Sequence, residues 1–252
     1  MPTVLEVIRK ICLSFPETEE IESHGSPEFR VKGKSFATFT INHHGDMRVA
    51  LILNASRETQ THYVQSAPKV FFVPPYVGPK GWYGIDLASK IRWPRVAELA
   101  CEAYARVAPK TLATQAKPLA KVPKPDTVDV KKLDPLFFPK NQKLLDKLRK
   151  ICLALPETSE AASFGSPVFK VGKKSFCQFF VHRNIASAYF WVGAERQVFM
   201  TADSRYDIPP YMGHNGWIRL RVDKRFDKKE IEGLALESFK HYASKRALKN
   251  LG

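Results

Sequence analysis

The sequence predicts an α+β protein built from two tandem two-layer domains, each a mostly antiparallel sheet covered on one face by N- and C-terminal helices. Three observations predict it. The chain of 252 residues repeats itself once. Each copy opens and closes with helical periodicity and carries short strand-like runs between. A proline- and lysine-rich stretch separates the copies.

The repeat emerges when the sequence is laid against itself. IRKICLSFPETEEIESHGSPEFRVKGKSF (8–36) aligns with LRKICLALPETSEAASFGSPVFKVGKKSF (148–176), and 18 of 29 positions are identical at an offset of 140. Later, PPYVGPKGW (74–82) matches PPYMGHNGW (209–217) at an offset of 135. The second copy is therefore five residues shorter somewhere between about 42 and 70, a change that loops absorb at little cost. This period suits a pair of domains and is far too long for a solenoid. The domains are 1–110 and 141–252. Residues 111–140 contain five prolines and six lysines and read as a semi-extended linker, in which Leu136, Phe137 and Phe138 are candidates for docking onto a domain.

Within the copies, Val4, Leu5, Ile8, Ile11, Cys12 and Phe15 recur at helical spacing, as do Leu144, Leu145, Leu148, Ile151, Cys152 and Leu155. Pro16 and Pro156 end these helices. Cys12 and Cys152 lie on the apolar stripe and read as buried thiols. Gly-Ser-Pro at 25–27 and 165–167 signals a turn. Strand-like runs follow: EFRV, KSFATFTI and DMRVALIL in the first copy, VFKV, KSFCQFFVH and SAYFWV in the second. Residues 42–46 read as a tight connection between strands. Residues 56–66 and 194–202 read as a short helix. VFFVPP with GWYGIDL, and DIPP with GWIRLRV, read as two further strands around a Pro/Gly-rich loop. A last helix is expected over 94–108 and 227–243. Helices on one face leave the other face of the sheet free as a binding surface.

One motif block is CL-x-[FL]-P-E-T, then G-S-P-x-F-[RK]-V-x-x-K-x-F; the other is P-P-Y-x-G-x-x-G-W. Their order, present twice, resembles the MmcQ/YjbR-like family. The resemblance spans roughly 4–110 and 144–245. It implies a two-layer α+β fold and a DNA-binding role through paired β wings. The mitomycin-cluster member behind half the family name makes binding of a drug-like aromatic small molecule the alternative.

Composition narrows the function classes. Forty Lys+Arg against 25 Asp+Glu give a net charge of +15, and 44% apolar residues exclude a disordered chain. No apolar run approaches the roughly 18–20 residues that cross a bilayer, and the N-terminal stretch does not read as a targeting signal. No membrane association is expected, and the expected location is cytoplasmic. The four cysteines form no metal knuckle and no disulfide framework. There is no G-x-S-x-G, H-E-x-x-H or P-loop pattern, and none of the seven histidines recurs at its equivalent position. Glu17 and Glu20 read as turn or surface residues before an acid/base pair, and His43, His44 and Asp46 as a polar hairpin tip before a metal site. Gly78 and Gly81 permit a bend that seats Trp82, as Gly213 and Gly216 do for Trp217. The expectation is a non-enzymatic protein without cofactor or metal.

The charge divides unequally. Residues 1–110 carry net +3, the linker +3, and residues 141–252 carry +9. Basic residues recur at Arg9/Arg149, Lys10/Lys150, Arg30/Lys170 and Lys34/Lys174. Arg30, Lys32 and Lys34 flank one probable hairpin turn, and Lys170, Lys173 and Lys174 the equivalent one. Arg219 and Arg221 share one strand face, with Lys224 and Arg225 following. These ten residues are the candidate phosphate contacts, each adding salt-dependent affinity. Nothing resembles a recognition helix, so DNA binding of low sequence specificity is expected, led by the second domain. The alternative ligand is a flat aromatic compound on the sheet face or at the domain seam. A third reading has the halves packing as an internal pseudo-dimer that serves as a protein-interaction module.

Overall fold

The computed structural model describes residues 1–251. Two compact units divide the chain, the boundary falling between Leu133 and Asp134. The first contains α1 (Val4–Cys12), β1 (Thr18–Ser23), β2 (Ser26–Val31), β3 (Lys34–Ile41), β4 (Val49–Leu53), α2 (Arg57–Ser66), β5 (Phe71–Phe72), β6 (Tyr83–Asp86), α3 (Trp93–Val107), α4 (Lys110–Ala113) and α5 (Val130–Leu133). The second contains α6 (Pro139–Cys152), β7 (Thr158–Ser163), β8 (Ser166–Val171), β9 (Lys174–His182), β10 (Ile185–Trp191), α7 (Ala194–Met200), β11 (Tyr206–Asp207), β12 (Trp217–Arg221), α8 (Lys228–Tyr242) and α9 (Lys245–Lys249). Each unit has one six-stranded sheet, ordered β1-β2-β3-β4-β6-β5 and β7-β8-β9-β10-β12-β11, and its strand pairs are antiparallel.

Local chemistry starts these elements where they start. Thr3 caps α1 in a reciprocal capping box with Glu6, and Ser56, Asp227 and Ser244 cap α2, α8 and α9. Pro94 and Pro139 sit in the first turns of α3 and α6, where a missing N–H costs nothing. In the second unit the apolar stripes of α6 (Leu145, Leu148, Ile151) and α8 (Ile231, Leu234, Phe239) close on Phe169, Phe176, Phe179, Phe190 and Ile218. Burying each such side chain contributes about 1.5–3 kcal/mol. Cys12, Cys152 and Cys177 are buried in these cores, and burial pushes the Cys12 and Cys177 thiols up.

The sequence does not announce β1 and β7. TEEIES and TSEAAS have no clean apolar alternation, because each is the edge strand of its sheet and shows its side chains largely to solvent. Residues 111–140 also depart from a free tether. Asp126 N–H donates to Pro2 O (3.0 Å), Val130 is buried, and Leu136 packs against the core of the second unit.

Candidate nucleic-acid interface

The recurring arginine of the first helix belongs to the fold. Arg9 donates two parallel hydrogen bonds to Glu20 on β1 (2.8 and 2.7 Å), and Arg149 does the same to Glu160 on β7 (2.8 and 2.8 Å). Each fork ties the first helix to the edge strand, and the hydrogen-bonded carboxylate raises the guanidinium pKa in both. Glu17 and Glu157 occupy the left-handed region (φ 51° and 57°) just before those strands.

The hairpins beside these staples are the ones the resemblance leads one to expect as wings, and they keep that name. His24-Gly25 and Phe164-Gly165 have positive φ at both central positions, which makes the first turn of each copy type I′. The next turn differs between copies. Lys32-Gly33 again has positive φ twice, whereas in Gly172-Lys173 only the glycine does, so the lysine moves one place along. That shift changes the charge available. In the first unit Arg30 pairs with Glu28 (2.6 Å) and Lys32 with Glu17, leaving only Lys34 of the three candidates without an acid. In the second unit Lys170, Lys173 and Lys174 form no ion pair among the described residues, and Lys173 and Lys174 are exposed.

The expected second cluster is different in kind. Arg219 and Arg221 do share a face of β12, but Arg219 lies beside its cross-strand partner Asp207 and bonds to it (3.1 Å from Nε), which raises its pKa. Arg221 pairs with Asp223 (3.4 Å) and Arg225 with Asp227 (2.8 Å). Of the four, only Lys224 has no acid partner among the described residues. Register also separates this group from the wing. Arg221 lies opposite Ser187, and Ser187 opposite Phe180, six residues along β9 from Lys174. That is about 20 Å along the strand. Residues 170–174 and 221–225 therefore lie toward opposite ends of the sheet, with the acid-paired Arg219, opposite Tyr189 and so in line with Gln178, between them.

The wing gains company from α9, whose basic residues were not among the ten candidates. Arg246 on α9 pairs with Glu157 (2.8 Å), and Asn250 donates to the same carboxylate (3.3 Å). Glu157 precedes Thr158, which faces Val171 next to the wing turn. This anchors α9 at the wing, with exposed Lys245 and Lys249 one helical turn apart on it. The signal was available in the repeat: at offset 135, Arg246 and Lys249 stand where the first copy has Thr111 and Thr114.

Across residues 141–251 a pattern emerges. Every acid except Glu195 is ion-paired among the described residues, nearly always to arginine; Lys228 with Glu232 is the exception. The positive surplus is therefore carried by lysines.

The second sheet face is not the open platform expected. Thr40, Ala50 and Ile52 in the first unit and Ser187 and Tyr189 in the second are buried on it. The all-apolar β4, VALIL, was the available sign, since a strand apolar on both faces is one buried on both. Burial raises the Tyr189 hydroxyl pKa despite Arg219 alongside. A shallow cleft elsewhere, lined by Ala88, Trp93 and residues 124–129, offers one aromatic side chain. Among the described residues no group of three His, Cys, Asp or Glu converges as a metal site would require. No helix among them is long and apolar enough to cross a membrane.

The Pro/Gly loop holds a residue pair that the constant-offset alignment missed. Gln197 donates to Gly213 O (2.8 Å) and Trp217 O (2.6 Å), and Gln60 makes the same bridge to Gly78 O (2.8 Å) and Trp82 O (2.5 Å). Their offset of 137 falls between the two blocks. Gln197→Leu strands two carbonyls and is expected to cost about 2–4 kcal/mol, read as a lower urea midpoint.

Fold and site together define a duplicated two-layer module in which a six-stranded sheet carries a hairpin wing beside a helix-to-edge arginine staple. The family model named YjbR matches residues 13–106 and 153–241, so the chain belongs to the YjbR family and carries its domain twice. Among solved structures, the Deinococcus radiodurans protein DR2400, described as a DUF419 domain, is similar at 19% identity with a TM-score of 0.39, covering 49% of this chain and 96% of that one. No curated protein matches the chain.

Proposed function

We propose that this protein is a non-enzymatic, cytoplasmic DNA-binding protein that grips duplex phosphates with little sequence preference, led by its second domain. The observation that carries the reading is the division of labour among its cations. Arginines of the second unit occupy its acids, while Lys170, Lys173 and Lys174 at the wing and Lys245 and Lys249 on α9 keep their charge for an outside partner. Arg219 and Arg221 of β12, and Arg225 beyond it, are structural on this reading. Exposed ammonium groups on a turn and an adjoining helix suit phosphates, and contacts to phosphates carry no sequence information, which suits weak discrimination.

The test is titration of the full chain against a mixed-sequence duplex at rising salt. The expected plot of log K against log[salt] is linear with a slope of about −4 or steeper, one increment of about 0.9 per phosphate. A flat plot, or no binding at low salt, sinks the proposal.

A further inference from the structure

The free lysines of the wing and Lys224 lie toward opposite ends of the second sheet, and α6 reaches toward both neighbourhoods, through Arg149 to Glu160 on β7 and through Lys147 to Phe226. Lys140, Lys143, Lys147 and Lys150 recur at i, i+3, i+7 and i+10 on this helix, which places them within one face. All four are exposed, and none has an ion pair among the described residues. The acid between them, Asp146, is taken by Arg149 (2.8 Å), which also holds Glu160. Lys147 sits over the Phe226 ring (5.3 Å), in the segment that begins at Lys224. At its other end α6 stops at Cys152, five residues before Glu157, the residue to which α9 is anchored beside the wing. The stripe is particular to this copy: the positions aligned with Lys143 and Lys147 are Thr3 and Val7, and only Lys150 has a lysine counterpart, Lys10.

We infer that this row of lysines is a second contact for the phosphate backbone, continuing the track from the wing along α6 toward Lys224. The inference rests on the DNA-binding reading above and names the residues that lengthen its footprint. Ten residues of helix span about 15 Å. At about 3.4 Å of rise per phosphate on one strand, that length faces four or five successive charges. A membrane surface is the less suitable partner. The apolar residues of α6, Leu145, Leu148 and Ile151, are in the core, so the helix has no free apolar face to insert beside its cations.

The experiment compares the full chain with a variant carrying Lys140→Gln, Lys143→Gln, Lys147→Gln and Lys150→Gln, and with Lys173→Gln/Lys174→Gln. Circular dichroism and the urea midpoint check that each variant is folded. The expected result is a salt slope shallower by about 3 to 4 for the helix variant and by about 2 for the wing variant. A helix variant with the unaltered slope, while the wing variant loses its share, overturns this inference and leaves the DNA-binding reading intact. Absence of binding by the unaltered chain removes both. Loss of binding to phosphatidylserine vesicles with duplex binding unchanged also overturns it, in favour of a lipid surface.

Discussion

Changing Lys173, Lys174, Lys245 and Lys249 together to glutamine is expected to weaken duplex binding about 10³-fold near 0.1 M salt. Each phosphate contact contributes about 0.9 of a decade per decade of salt below 1 M, so losing four removes more than three decades at that concentration. The side chains are exposed and free of acids, so their removal strands no partner and leaves stability nearly unchanged. The informative comparison is Arg219→Gln with Arg221→Gln. Those guanidiniums already face Asp207 and Asp223, so the expected loss of affinity is small, within about threefold. Equal losses from the two sets would extend the contact surface to β12 and end the division between structural arginines and phosphate-binding lysines, whereas a loss from the arginine set alone would remove the wing from it. Fluorescence anisotropy at fixed salt reads both.

Gly216→Ala is expected to be the most destabilising single change considered, at about 3–5 kcal/mol in urea denaturation. Gly216 has φ 78°, and a Cβ there would stand 2.8 Å from both Cα and the carbonyl carbon of Gly193 and 3.0 Å from Ala194 N. These are backbone atoms at the start of α7, and they have no rotamer into which to retreat. Gly81 meets the same obstacle, with Ala55 O at 2.8 Å and Arg57 N at 3.0 Å. Gly172→Ala is the control: φ is 58°, but nothing lies within 4 Å, so only the left-handed penalty of about 1–2 kcal/mol is expected. If the two substitutions cost the same, close backbone approach is not what the GW turn requires.

Most of the fold was legible because it was written twice. Helical spacing from Val4 to Cys12 located α1, and two glycine-bearing loops at a fixed offset located the paired strands around Trp82 and Trp217. The edge strands β1 and β7 were not legible, since polar residues such as Glu19 and Glu22 give no alternation to read. The site was legible in part. Lysines 170, 173 and 174 were named from turn chemistry, and they do flank the β8–β9 turn. Arg219 and Arg221 were named from strand parity, which gives direction but not neighbours; Asp207 lies twelve residues away in sequence and is brought alongside only by the β11–β12 pairing. The α6 stripe escaped notice because its lysines interleave with the apolar residues of the opposite face. Gln60 and Gln197 escaped because the register changes between the aligned blocks.

The arginine staple and the glutamine bridge occur in full in each half. Whatever determines the shape of one module is thus encoded a second time in the other, and the outward-facing side chains are not tied to that task. After gene doubling, selection can alter the exterior of one twin without disturbing the interior of either. The near-neutral first copy beside a cationic second copy is the kind of divergence such redundancy permits.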